Sequence, residues 1–196
     1  SRLSLDFSSL LGPLFMMWFM QLMLPVNVFM LVQEKEAGLR IMMKMQGLKD
    51  GAYYAVQYVW MVLMYCLFMT IFVIFGSLIG LKIFTLNSYS VQFVCYFLWG
   101  NLLASLSFYS SAWNATARPG VLLAVVWVII SGFMANLMMV QYIESGPEWI
   151  AKMLEFVPAF GLFRCLYELS QYAFLADRNG GQGLTWSDLS DEGNGM

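Results

Sequence analysis

The residues able to do chemistry are gathered in one stretch, EKEAGLRIMMKMQGLKDG, from Glu34 to Gly51. It holds four of the chain's ten basic residues: Lys35, Arg40, Lys44 and Lys49. Glu36, Arg40 and Lys44 recur at i, i+4 and i+8, with Gln33 extending the stripe, which places them on one face of a helix. Leu39, Met42, Met43, Met45 and Leu48 cover most of the rest, and Gly47 suits a helix stop. The chemistry this predicts is docking, not catalysis. A helix this apolar needs a lipid interface, neighbouring helices or a partner's groove. Flexible, polarizable methionines suit a surface that slides or repacks.

Catalytic and metal chemistry find little support elsewhere. There is no histidine, which removes His-based acid–base work and His metal sites. The three cysteines, Cys66, Cys95 and Cys165, are far apart and form no CxxC pair. Cys66 and Cys95 lie in apolar runs and read as inert packing residues. No GxxxxGK[ST] phosphate loop occurs, so this chain alone is not expected to bind or hydrolyse ATP. The sequence supplies no catalytic, cofactor-binding or metal residue. A net charge of −2 argues against a nucleic-acid partner.

The surroundings of that stretch are those of a membrane protein. The chain is 60% hydrophobic and 11% charged, against roughly 25% charged in soluble domains. A helix crossing the hydrocarbon needs about 20 apolar residues. Four intervals between charges hold one such run each, predicting spans at about 11–33, 53–80, 91–113 and 119–142. Pro25 should kink the first. Tyr53, Tyr54, Tyr58 and Trp60 form an aromatic belt at the entry to the second, which closes on Gly76 and Gly80. Those glycines make a GxxxG, a spacing that suits close helix packing. Asn87, Ser88 and Ser90 are candidate caps before the third span. Pro119 suits the first turn of the fourth. Ser105, Ser107, Ser110 and Ser111 suit helix packing, or the lining of a path.

Lys and Arg gather in the loops after the first and third spans, which places those loops in the cytosol. The sequon at Asn114 would then be cytosolic and unmodified. Residues 145–176 are interrupted by charges and by Pro147 and Pro158. They predict a re-entrant or interfacial helical hairpin on the exoplasmic side, with arms near 148–157 and 159–175. Pro158 opens its second arm, and Arg164 and Glu168 pair at i, i+4. A Gly-rich exoplasmic loop follows over 177–196. No signal peptide is visible, and both ends read as cuts through a longer protein.

At this level of detail the chain resembles the transmembrane domain of ABC transporters of subfamily A, above all their plant-type branch. The resemblance is carried by EKEAGLRIMMKMQGLKDGAYY, then FGSLIGLKIFTLNSYSVQFVCYF, then PAFGLFRCLYELSQYAF and LTWSDLSD, in that order over nearly the whole chain. It implies an all-α type-2 exporter fold. Residues 1–176 would then be a fragment of the transmembrane domain, with four spans, a coupling helix at 34–48 and the exoplasmic hairpin. The family's first and sixth spans and its nucleotide-binding domain would lie outside. Glu34, Lys35, Glu36, Arg40, Lys44, Gly47 and Leu48 match the family's coupling pattern, while Gly38 stands where many relatives carry a basic or polar residue. The implied activity is ATP-driven export or flipping of lipids or other hydrophobic molecules. ATP and Mg²⁺ would sit in the nucleotide-binding domain of the parent protein. The implied partners are that domain, a second transmembrane half and membrane lipids, in the plasma membrane or endoplasmic reticulum. A non-enzymatic membrane scaffold or assembly subunit is the alternative. A channel or ion-coupled carrier is disfavoured, because the four spans contain no ionisable relay group.

Overall fold

The computed structural model describes residues 2–145 and 157–179. Those residues are helical almost throughout: α1 (Arg2–Gln21), α2 (Met23–Glu36), α3 (Leu39–Met45), α4 (Asp50–Ile79), α5 (Lys82–Thr85), α6 (Tyr89–Trp113), α7 (Ala117–Ser145) and α8 (Pro158–Asn179). Four helical stretches are long and apolar enough to cross a membrane: Gly12–Glu36, Asp50–Ile79, Tyr89–Trp113 and Ala117–Ala135. They overlap the four charge-free intervals of the sequence, running on to take in Glu34–Glu36, Asp50 and Arg118 at their ends.

The first span is two helices. Pro25 lacks an N–H for the carbonyl of Gln21, and its ring crowds that carbonyl. The ladder therefore breaks there, and Leu22 N–H turns back to Phe19 O at 3.2 Å. α2 continues past the expected end of the span to Glu36. The single helix expected over 34–48 is thus divided. Gly38 adopts φ +68°, which reverses the chain after α2 and leaves α3 only seven residues. A left-handed residue is cheap only for glycine. α3 stops where the sequence indicated, with Gly47 at φ +94°. Leu48 N–H reaches Met43 O and Gly47 N–H reaches Lys44 O, which together satisfy the last carbonyls.

The 30 residues of α4 span about 45 Å. That exceeds a hydrocarbon core of about 30 Å, so its first turns reach the headgroup level. α4 ends at Gly80, φ +79°. The two glycines of the GxxxG do separate jobs. Gly80 terminates the helix, with open space around it, while Gly76 is the flat spot on which the Phe84 ring of α5 rests.

The helix-packing face lies elsewhere, on α7. Gly120, Ala124, Val128 and Gly132 recur every four residues and are all buried, flanked by Ala117, Ser131 and Ala135. This stripe of mostly small side chains lets α1 and α2 pack closely on α7. Trp18 of α1 lies directly against Gly132, and in the same way Tyr65 of α4 lies against Gly100 of α6. The core joins Met17, Met20, Leu24 and Val28 of α1 and α2 to Tyr65, Trp99, Val128, Phe163 and Leu166.

α3 sits at one end of the bundle and α5 at the other, because α4 runs the full length between them. α8 lies at the α5 end, against α1, α7 and α5. Pro158 is its first residue, and Ala159, Leu162, Phe163, Leu166, Leu169, Ala173 and Ala176 form its buried stripe. Its backbone continues to Asn179, three residues into the loop expected from 177. Of the expected hairpin, the first arm lies outside the described residues except for Val157, and so does the loop from 180 onward.

Candidate functional site

The three charged residues that end α2 each bond to a different neighbouring helix, Glu34 half-buried and Lys35 and Glu36 exposed. Glu34 Oε2 accepts from Tyr53 Oη at 2.6 Å and from Gln57 Nε2 at 2.7 Å, both on α4. Lys35 Nζ donates to the carbonyls of Ser111 (3.3 Å) and Asn114 (3.1 Å), at the end of α6. Glu36 Oε2 accepts the backbone N–H of Ala117 at 2.9 Å, the first residue of α7. The signs match the termini. A helix end presents unpaired carbonyls and partial negative charge, which suits the ammonium; a helix start presents unpaired N–H groups and partial positive charge, which suits the carboxylate.

The α3 cations pair with the start of α4. Arg40 Nη2 meets Asp50 Oδ1 at 3.2 Å and Lys44 Nζ meets Asp50 Oδ2 at 2.8 Å, with Asp50 opening α4. The Arg40 guanidinium also lies 4.9 Å from the centroid of the Tyr54 ring. Its hydrogen bond to Asp50 raises its pKa above the ordinary value, so it stays charged at every physiological pH. The stripe of Glu36, Arg40 and Lys44 read from the sequence therefore serves two helices. Glu36 belongs to α2, and the two cations hold α3 down on α4.

What α3 presents outward is mainly apolar, although the Lys44 side chain is 65% exposed beside its ion pair. No residue of this helix is buried. Ile41 is 66% exposed, Met42 57% and Met45 77%, with Leu39 and Leu48 beside them. Of the residues matching the coupling pattern, Glu34, Lys35, Glu36, Arg40 and Lys44 have partners within the chain. Gly47 is the turn, and Leu48 is exposed. The sequence located the segment, but the side chains facing outward are mainly Ile41, Met42 and Met45.

Other expected residues have structural places. Asn114 is buried, and its amide donates to Ser110 O at 2.7 Å, so the sequon side chain is turned inward. Asn87 is no cap. Its amide donates to Ile83 O and to Leu169 O, fastening α8 to the α5 end. Ser88 is the N-cap position of α6 but makes no side-chain cap bond. Ser105, Ser107 and Ser111 bond back to carbonyls of their own helix. On α8, Arg164 Nε donates to Glu168 Oε1 at 3.0 Å. Cys95 of α6, read from the sequence as an inert packing residue, is instead joined to Cys165 of α8 as a disulfide, with Cα atoms 7.4 Å apart. Cys95 is thus a contact between helices, hidden from sequence reading because its neighbour is 70 residues away. No group of three or more His, Cys, Asp or Glu able to hold a metal occurs among the described residues.

Polar contacts inside the spans escaped sequence reading altogether. Ser131 Oγ donates to Gln21 Oε1 at 3.0 Å, joining α7 to α1, and Tyr58 donates to Asn101, joining α4 to α6. Isolated Gln and Asn residues within apolar runs were the available signal.

Comparison with known proteins gives one consistent answer. A family described as ABC-2 family transporter protein matches residues 4–187. ABC transporter A family member 8 of Arabidopsis thaliana is 44% identical over 200 residues, covering 100% of this chain and 22% of the relative. Member 7 of the same organism is 41% identical over 193 residues, covering 97% and 21%, and member 12 is 41% identical over 198, covering 100% and 21%. The chain thus spans about a fifth of the length of the curated relatives it matches. No solved structure matches it.

Proposed function

The chain belongs to the ABC-2 family of transporter proteins, and from that premise we propose that it is part of the membrane domain of an ATP-driven exporter of lipids or other hydrophobic molecules. The single observation that carries this reading is the match over residues 4–187, which takes in all four spans and α3 together. The chain is a multi-pass integral membrane protein. ATP and Mg²⁺ belong to a nucleotide-binding domain elsewhere in the parent protein, which uses the chemical energy there. This chain contributes the spans and the surface on which that domain rests. The α3 end faces the cytosol, since Lys35, Arg40, Lys44, Lys49 and Arg118 all lie there. The α5 and α8 end is exoplasmic, in the plasma membrane or endoplasmic reticulum.

Ile41, Met42, Met45 and Leu48 form the docking surface. Anchored by two ion pairs beneath and apolar above, α3 suits a partner's groove read through a short row of side chains. Arg40 and Lys44, paired with Asp50, and the turn at Gly47 support that surface from below. A second transmembrane half completes the translocation path. Lipid as cargo is supported by spans whose surfaces are Phe, Leu, Ile, Val and Trp and which contain no ionisable relay.

The test is ATP hydrolysis by the full-length protein in vesicles. Lipid-stimulated hydrolysis, with ATP-dependent movement of a fluorescent phosphatidylcholine between leaflets, is expected. A protein that hydrolyses no ATP under any lipid composition would instead be the scaffold.

A further inference from the structure

We propose that Glu34, Lys35 and Glu36 form a transmission clamp, resting on the exporter reading above. Three consecutive side chains fasten the inner ends of α4, α6 and α7 to the segment that carries α3. They are positioning residues, distinct from the docking surface. A displacement of α3 then moves the three spans as one body.

Helix geometry makes this possible. Successive residues of an α-helix point about 100° apart, so three in a row address three different neighbours. Glu34 faces α4, Lys35 faces α6 and Glu36 faces α7. The sequence separations are 19 and 23 residues to α4, 76 and 79 to α6, and 81 to α7. None of the five bonds is a local helix contact. Each joins a formal charge to a hydrogen-bonding group, and charge-assisted bonds are the stronger and shorter class.

Lys35 and Glu36 are exposed, so what marks them as a clamp is the choice of partner and not burial. Lys35 takes the carbonyls that the last turn of α6 cannot satisfy within the helix, and Glu36 takes an N–H that the first turn of α7 cannot. The tight connection between those two spans, Asn114 to Thr116, is therefore gripped on both sides by adjacent residues of α2. Neither grip can be supplied by simple hydrophobic packing. Replacing Lys35 or Glu36 with an apolar residue leaves the terminal groups of α6 or α7 without that partner.

The backbone supplies the remaining part. Immediately beyond the clamp the chain reverses at Gly38. Docking and clamping are thus on opposite sides of one turn. α3 has a second attachment through Arg40 and Lys44 to Asp50, but that reaches α4 alone. α2 itself packs on α6 and α7 along its buried face, and the clamp adds a polar attachment at the inner ends of those spans, next to the docking segment.

The experiment measures the interval between spin labels at Gln46→Cys, beside α3, and Leu122→Cys, on the exposed face of α7. It uses the full-length transporter in lipid nanodiscs, with the other cysteines replaced. In the otherwise unaltered protein the interval should be the same without nucleotide and with ATP plus vanadate. In Lys35→Met combined with Glu36→Gln it should match without nucleotide. With nucleotide it should lengthen and broaden, while ATP hydrolysis stays within about twofold of the parent, ~0.4 kcal/mol in barrier. The clamp is overturned if the variant follows the parent in both conditions. It is equally overturned if the interval has already shifted without nucleotide, which is what a merely structural role produces.

A milder variant covers the case in which the double change fails to accumulate. Tyr53→Phe with Gln57→Leu leaves all three charges and releases only the α4 arm, read between Gln33→Cys at the end of α2 and Val59→Cys on α4 by the same criteria. Absence of ATP hydrolysis in the parent would overturn the exporter reading itself, and the clamp with it.

Discussion

Gly38 carries more of the local structure than its size suggests. Its Cα faces open space, so a side chain would meet nothing, yet φ +68° burdens any other residue. Gly38→Ala should cost about 1 kcal/mol locally, seen as roughly fivefold faster amide hydrogen exchange across 39–45 in the full-length protein. Exchange at the parent rate would show that the turn is not held in this conformation. Gly132 is the opposite case. Its φ is ordinary, but the Trp18 indole occupies the place of its side chain. Gly132→Leu should therefore overpack the α1–α7 contact, at about 1–3 kcal/mol, and lower the temperature at which the purified protein aggregates. An unchanged temperature would mean that Trp18 swings away without cost. Neither glycine belongs to the GxxxG that the sequence offered, because a four-residue spacing says nothing about which helix lies opposite.

At the scale of elements, the charge-free intervals were fully legible, since the bilayer allows no other reading of such runs. Less legible was the helix across 34–48. Its charge stripe has helical spacing, and a single turn at Gly38 divides it without disturbing the sequence pattern. The partners of Glu34, Lys35 and Glu36 were invisible for a related reason. Four of their five contacts lie on helices that only tertiary packing brings together, and three of those five are backbone groups, which leave no trace in residue identity. α3 depends on Arg40 and Lys44 converging on Asp50. Arg40→Glu with Lys44→Glu places three carboxylates together and should release α3 from α4. ATP-driven transport by the full-length protein should fall at least about tenfold, ~1.4 kcal/mol, with an unchanged amount of protein in the membrane. Transport at the parent rate would remove α3 from the coupling route.

For the whole molecule, the bundle has two chemically different ends. One carries α3 with its exposed apolar face and the basic residues around it. The other carries α5 and α8, fastened through Asn87. The orientation assigned from basic residues predicts that Met45→Cys is labelled by an impermeant maleimide only from the cytosolic side. Tyr89→Cys, 57% exposed at the start of α6, should be labelled only from the opposite side. The reverse pattern would invert the topology. Docking of a nucleotide-binding domain on α3 is tested by a photo-crosslinking amino acid at Met45 in the full-length protein. Mass spectrometry should place the adducts on peptides of the nucleotide-binding domain. Adducts confined to lipid would mean that no domain docks on α3 and that it is an interfacial anchor.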